Sequence, residues 1–176
     1  MQVRRVVTGH EDGRAVVVTD GYVEPITLSM IPGVEFFEVW SEKGSRSVPR
    51  KGPFPDVPRF FPDSDEVVFR FVTIPPESYE AAEDVDRDAA LQEAMAKAPR
   101  LVQHLEPENP GMHTTDSVDF GIVVSGEVDL ELDDGAEVRL TPGTCVVQNG
   151  TRHAWRNRSS ESALIAFVLL GATRSA

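Results

Sequence analysis

The sequence predicts an all-β fold of short antiparallel strands, and the signal is strongest between residues 101 and 171. From residue 127 to residue 132, acidic and aliphatic residues alternate, as expected of a strand with one wet face and one buried face. Asp133-Asp134-Gly135 and Thr141-Pro142-Gly143 are turn sequences that separate this strand from its neighbours. Strands that recur about every eight to twelve residues are typical of an antiparallel sandwich or barrel.

The first hundred residues contain further strand-like stretches. They are residues 3–8, 15–20, 35–40 and 66–73. The first two flank a turn-rich segment and predict a hairpin. In the fourth, Val68, Arg70 and Val72 share one face, which suits a sheet with one well-buried side. We therefore expect one structural domain in which residues 1–100 pack around a barrel formed by residues 101–171.

Residues 41–65 hold five prolines, so regular structure is not expected there. A long irregular segment inside a small domain is either a mobile surface loop or a functional lid. Phe54, Phe60 and Phe61 keep the lid alternative open, because their rings need somewhere to be buried.

One helix is predicted over residues 86–98, which are rich in good helix formers and acidic at the start. Leu91 and Met95 lie four residues apart and would share a packing face. Pro99 ends the helix.

The composition argues against two classes of partner. The formal net charge is −12, so a basic face for nucleic acid or for an anionic membrane is not expected. No stretch approaches the roughly 18 apolar residues of a membrane span, and the N-terminus lacks the apolar run of a signal peptide. Cys145 is the single cysteine, and we expect it to be a buried small hydrophobe. These features predict a cytoplasmic protein.

Two short segments in the last third of the chain concentrate polar residues that can carry chemistry. In chain order these residues are His113, Thr115, Asp119 and Gly126, followed by Gly150, His153 and Asn157.

The spacing of these residues, with the strands between them, resembles the two motifs of the cupin superfamily over residues 101–171. The pattern is most similar to small cupins with His-x-Thr-Asp-x-x-Asp in the first motif and His-Ala-Trp-x-Asn in the second. It resembles, more distantly, cupins encoded with aromatic polyketide pathways. The resemblance implies a double-stranded β-helix, a jelly-roll-like barrel, with extra N-terminal strands and one short helix. It also implies a homodimer, because a partner subunit often covers the exposed edges of such barrels.

Cupin metal sites take two His and one Glu from the first motif and one His from the second. Here Thr115 replaces the second His, and Asp119 replaces the Glu. The resemblance therefore implies His113, Asp119 and His153 as ligands of a divalent metal, with zinc, iron, manganese and nickel all open. The alternative is a barrel without metal, in which His113 and His153 are hydrogen-bonded interior groups or act as general acid and base tuned by Asp119.

Candidate substrate-binding residues are Thr115, Trp155 and Asn157. Trp155 and Asn157 share strand parity with His153, so a cavity-facing His153 would bring both with it. An indole there would bind a planar apolar ligand, and core packing is the alternative. His104, predicted on the preceding strand, is either a replacement ligand or a satisfied or exposed histidine.

Three functions remain open for a protein that handles a small molecule. The first is a metal-dependent enzyme, an oxidoreductase, isomerase or cyclase, acting on an aromatic or polyketide-like molecule. The second is a metal-free cyclase, isomerase or lyase that uses His113 or His153 as acid or base. The third is a non-catalytic binding protein, and fold alone does not choose among them.

Overall fold

The computed structural model of the chain describes residues 2–49, 60–79 and 85–175. Its strands in these ranges are β1 (Val3–Glu11), β2 (Arg14–Val23), β3 (Ile26–Thr27), β4 (Glu35–Lys43), β5 (Glu66–Ile74), β6 (Ser117–Ser125), β7 (Val128–Glu131), β8 (Glu137–Leu140), β9 (Cys145–Asn149), β10 (Ala154–Arg156) and β11 (Ala163–Gly171). Its helices are α1 (Arg87–Lys97) and α2 (Leu101–His104), and a single 3-10 turn covers Asp133–Gly135.

The strands form three antiparallel sheets, two of which share one core. The large sheet has the order β3-β4-β5-β11-β6-β9, and the small sheet has the order β10-β7-β8. Val68 and Ile165 of the large sheet belong to the same buried hydrophobic cluster as Val128 and Leu140 of the small sheet. The all-β fold predicted from the alternation and the turns is confirmed.

The predicted N-terminal hairpin forms from β1 and β2 and lies on the outer face of the large sheet. Val3 and Val23 pack there against Phe37 of β4 and Phe69 of β5. These aromatic side chains point away from the main core, and the hairpin covers them at this end of the sheet.

Strand β9 presents Cys145 on the outer face of the large sheet, so the prediction of a buried cysteine was wrong. Side chains alternate along the strand, and the inward positions are taken by Val146 and the buried Gln148. The neighbouring strand β6 exposes Phe120 and Ile122 on the outer side.

The homodimer that the resemblance implies stays a prediction.

Helix α1 lies where the sequence predicts, with Asp86 as its N-cap accepting hydrogen bonds from the amides of Asp88 and Ala89. Its packing face was predicted wrongly. Ala90 and Ala94 are buried, whereas Leu91 and Met95 are 38% and 58% exposed. The small alanines let the helix backbone approach the core closely, and this outweighs the burial of two larger side chains.

The segment after α1 also differs from the prediction. Residues 101–104 form helix α2 instead of a strand, and Leu101 anchors the helix in the core. Neither helix in the described ranges has the length and apolar character that a membrane crossing requires. The cytoplasmic location stays a prediction.

Residues 50–59 of the proline-rich segment, with Phe54, lie outside the described residues. Phe60 and Phe61, which follow these residues, are buried, as expected of large apolar side chains. Phe60 packs edge-on against Phe36, with ring centroids 4.7 Å apart, and Phe61 packs against Phe60. The choice between loop and lid stays open.

Gly126, in the turn after β6, has a positive φ and also lies close to the backbone of Ala163. Alanine substitutions at Gly126 and at Gly135 separate these two effects. Gly126 and Gly135 share a φ of +72°, but a Cβ on Gly126 would lie 2.7 Å from the backbone of Ala163, whereas one on Gly135 would meet nothing within 4 Å. Both alanine variants carry left-handed strain, and Gly126→Ala also forces backbone apart.

We expect Gly126→Ala to lower the free energy of unfolding by roughly 1–3 kcal/mol more than Gly135→Ala. The measurement is the urea midpoint of each variant at unchanged slope. Equal midpoints would contradict this account of the turn.

Candidate active site

The two sheets, α2 and the loop between β3 and β4 line a cavity of about 180 Å³. Its walls are mostly apolar and include Phe36, Phe61, Leu101, Trp155 and Phe167. The polar side chains that reach it within the described residues are those of Arg70, His113, Thr115, Asp119 and His153. An apolar cavity with a few convergent polar groups is the usual form of a small-molecule site.

The backbone brings His113 and His153 together although they lie 40 residues apart in the sequence. Each donates its amide N–H to the carbonyl of the other at 3.0 Å, which forms an isolated antiparallel bridge. The ring centroids are 4.3 Å apart. The sequence prediction that these two histidines share one site is therefore met in geometry.

Both imidazoles are held in the same tautomer. Nδ1 of His113 contacts the carbonyl of Gly111 at 3.0 Å, and Nδ1 of His153 contacts the carbonyl of Thr151 at 2.9 Å. Because a carbonyl oxygen only accepts, each Nδ1 carries the proton and each Nε2 keeps a lone pair. The pair thus presents two acceptor nitrogens.

The cavity keeps both rings neutral near neutral pH. Burial lowers the pKa of His113. Burial, assisted by the neighbouring His113, lowers the pKa of His153 to about 4. A second positive charge 4.3 Å away would be repelled in this low-dielectric setting, so the two rings do not charge together.

Asp119 lies on the inner face of β6 and is buried. Burial raises its pKa to about 6, against the smaller opposing effects of a hydrogen bond with Ser117 and the charge of Arg70. Its Oδ1 has no hydrogen-bond partner among the described residues. The carboxyl therefore changes protonation state at a pH where proteins work.

Arg70 and Glu38 form a buried ion pair beside Asp119, which was not predicted from the sequence. The two residues face each other across β4 and β5, at a bulge between Glu38 and Trp40. Nε of Arg70 lies 3.1 Å from Oε1 of Glu38, and both side chains are at most 5% exposed. The available signal was an arginine between Val68 and Val72 on a face predicted to be buried.

Thr115 and Trp155 line the cavity as predicted. The hydroxyl of Thr115 accepts a hydrogen bond from Ser117 at 3.0 Å. The indole of Trp155 packs between His153 and Phe167, with centroid distances of 5.5 and 5.3 Å.

The placement of Asn157 differs from the prediction. It follows the last residue of β10, so strand parity no longer orients it, and it is not part of the cavity wall. Its side-chain amide instead donates to the carbonyls of Ile74 at 2.9 Å and Glu161 at 2.8 Å. Asn157 thus joins β10 to β5 and to the turn before β11.

His104 does not reach the cavity. Its Nδ1 contacts the carbonyl of Thr114 at 2.7 Å, and its ring packs edge-on against Phe61. Asp116 forms an ion pair with Arg174 at the surface.

The donor geometry of the cavity does not match the predicted metal site. In the described ranges no group of three or more His, Cys, Asp or Glu side chains is arranged to hold a metal ion. The histidine pair offers two nitrogens, fewer than the three protein ligands of catalytic zinc or of a facial triad. The predicted grouping of His113, Asp119 and His153 around one ion is not found. Asp119 instead interacts electrostatically with Arg70. Metal binding itself stays a prediction.

The part of the chain that carries both histidines of the cavity matches a known domain family. Residues 101–169 match the family model described as "Cupin domain". The match spans both motifs, and the resemblance to the cupin superfamily that the motifs predict is confirmed over these residues.

Three relatives come from fungi. The chain is 48% identical over 62 residues to "Phomopsin biosynthesis cluster protein D" of Diaporthe leptostromiformis, covering 35% of this chain and 33% of that protein. It is 38% identical over 74 residues to "Oryzines biosynthesis cluster protein J" of Aspergillus oryzae, covering 42% and 41%. It is 34% identical over 74 residues to "Cupin-domain-containing oxidoreductase fogC" of Aspergillus ruber, covering 40% and 36%. The match thus spans between a third and about two fifths of these relatives.

Solved structures show more distant similarity. KdgF from Halomonas sp. is 14% identical, with a TM-score of 0.44, over 83% of this chain and 86% of that one. A putative ethanolamine utilization protein Q from Salmonella typhimurium is 9% identical, with a TM-score of 0.45, over 98% and 99%.

The raised pKa of Asp119 and the lowered pKa of His153 have opposite consequences for stability. The folded-state pKa of Asp119, about 6, exceeds the ordinary 3.8, so this carboxyl destabilises the fold as pH rises from about 4 to 6. The folded-state pKa of His153, about 4, is below the ordinary 6.5, so this imidazole destabilises the fold as pH falls through that window.

Relative to the wild-type chain, the free energy of unfolding of Asp119→Asn is expected to increase as pH rises from 4 to 7. That of His153→Gln is expected to increase, relative to the wild-type chain, as pH falls from 7 to 4. Each change amounts to at most about 3 kcal/mol. The check is the free energy of unfolding in urea at several pH values. Difference curves that are flat, or that slope the same way, would contradict the buried-cavity pKa values.

Proposed function

We propose that this chain is a metal-free enzyme of the isomerase, cyclase or lyase type that moves protons on a small, mainly apolar molecule. The observation that carries the proposal is the pairing, in one cavity, of a carboxyl whose pKa is raised to about 6 with a histidine whose pKa is lowered to about 4. Titratable groups whose environments push their pKa values apart mark acid and base roles.

The chemistry follows from the uncharged forms of the two groups. Nε2 of His153 takes a proton from a carbon next to a carbonyl, and the protonated Asp119 gives its proton to the carbonyl oxygen. The product is an enol, His153 holds the added positive charge, and Asp119 holds the negative charge. Return of a proton to a different carbon or loss of a leaving group completes an isomerisation or an elimination.

The other cavity residues hold the molecule in place. Nε2 of His113 is a hydrogen-bond acceptor for a substrate hydroxyl, and the hydroxyl of Thr115 is a further polar contact. Trp155 and Phe167 supply the apolar surface. The relatives named as biosynthesis cluster proteins support a role on a small molecule of secondary metabolism.

The second candidate is a metal-dependent oxidoreductase. It is favoured by the relative named an oxidoreductase and by the two free Nε2 atoms of the histidine pair. It requires at least one further ligand beyond the two histidines.

The proton-transfer proposal is tested with phenylacetone, a neutral ketone with one ring and acidic α-protons. Exchange of those protons in D2O, followed by NMR, is expected to peak near pH 5 and to fall below about 4 and above about 6, the pKa values of His153 and Asp119. His153→Gln and Asp119→Asn are expected to slow exchange by about 100-fold or more. His104→Gln is the matched control at wild-type rate, because His104 lies outside the cavity wall. Exchange equal to the buffer rate, or unaffected by both variants, would rule the proposal out.

Metal content separates the two candidates. Protein purified without chelator or metal-affinity resin, then incubated with iron, zinc, manganese and nickel and desalted, is expected to hold far less than one metal per chain by elemental analysis. Exchange on phenylacetone is expected to continue in EDTA. One metal per chain that is lost in His153→Ala would instead favour the oxidoreductase candidate.

A further inference from the structure

Arg70 is a buried cation with unused hydrogen-bonding capacity. Its side chain is 3% exposed and reaches the cavity wall. Nε lies 3.1 Å from Oε1 of Glu38, whereas Nη2 has no hydrogen-bond partner among the described residues. An unmet buried donor costs about 1–3 kcal/mol and calls for an explanation.

The guanidinium is held in place on more than one side. Its central carbon lies 4.3 Å from the centroid of the Phe60 ring and 5.5 Å from that of Phe61. Glu38 holds it from the adjacent strand, and the side chains of Phe167 and Val72 pack nearby in the same cavity wall. A guanidinium fixed in this way is preorganised for a ligand.

We propose that Arg70 binds a carboxylate on the substrate, so that the substrate of the function proposed above is a small apolar carboxylic acid. A carboxylate matches the planar fork of a guanidinium with two parallel hydrogen bonds. Arg70 is the one Lys or Arg in the described wall of the cavity, and Glu38 and Asp119 lie beside it. A phosphate dianion would therefore find too little positive charge.

The cavity volume limits the rest of the molecule. A cavity of about 150 Å³ holds benzene, and this one measures about 180 Å³. One ring with a carboxylate therefore fills it. Among the aromatic or polyketide-like substrates predicted from the sequence, the cavity therefore suits a single-ring acid or an aliphatic acid of similar size.

Benzoate and benzamide test the proposal, because they have the same shape and differ in charge. By calorimetry the wild-type chain is expected to bind benzoate at least about tenfold more tightly than benzamide. Glu38→Gln removes the carboxylate that competes for Arg70, so benzoate is expected to bind still more tightly, with benzamide unchanged. The isosteric double variant Glu38→Gln/Arg70→Gln removes both charges and is expected to lose the preference for benzoate while keeping its affinity for benzamide.

Retained benzamide binding shows that the double variant is folded, and a urea unfolding curve checks this independently. Equal affinities for the two probes in the wild-type chain, no measurable benzoate binding, or a preference that survives in the folded double variant would each overturn the proposal. These outcomes are separate from the proton-transfer test, which uses a neutral ketone. Arg70-dependent benzoate binding without exchange on phenylacetone would leave the carboxylate site standing and remove the proposed reaction.

Discussion

The burial of one guanidinium, that of Arg70, is the constraint on which the interior of this barrel depends. Removing a cation from water costs several kcal/mol, so the surrounding residues must offset that cost. They do so with Glu38, placed across the strand pair at a bulge, and with the faces of Phe60 and Phe61. Bulges are common beside active sites because they re-aim side chains. Nη2 of Arg70 is left without a hydrogen-bond partner among the described residues, and it is the group that we propose binds the substrate carboxylate.

The same apolar enclosure acts in opposite directions on the two kinds of titratable group. It raises the pKa of Asp119 and lowers those of His113 and His153, because burial disfavours every charged form. Between about pH 4 and 6 the cavity therefore holds a carboxyl with a proton to give and an imidazole with a lone pair to receive one. The backbone carbonyls of Gly111 and Thr151 fix the tautomers that make this pairing available.

Much of the fold could be predicted from sequence, because alternation and turn chemistry are local signals. The same signals, with the motif spacing, predicted that His113, His153 and Trp155 lie in one cavity. Asn157 was misplaced because strand parity stops where β10 ends. The roles of Arg70 and Glu38 could not be read locally, since their pairing depends on which strands become neighbours and on a bulge in β4. The faces of α1 were missed because close packing of alanines competes with the burial of larger side chains.

The most direct test of the account is a crystal structure of the chain with benzoate. We expect the benzoate ring to lie against Trp155 and Phe167, with a carboxylate oxygen within hydrogen-bond distance of Nη2 of Arg70. We also expect Nε2 of His153 to face the ligand. Benzoate bound outside the cavity, or inside it with its carboxylate turned away from Arg70, would contradict the central claim.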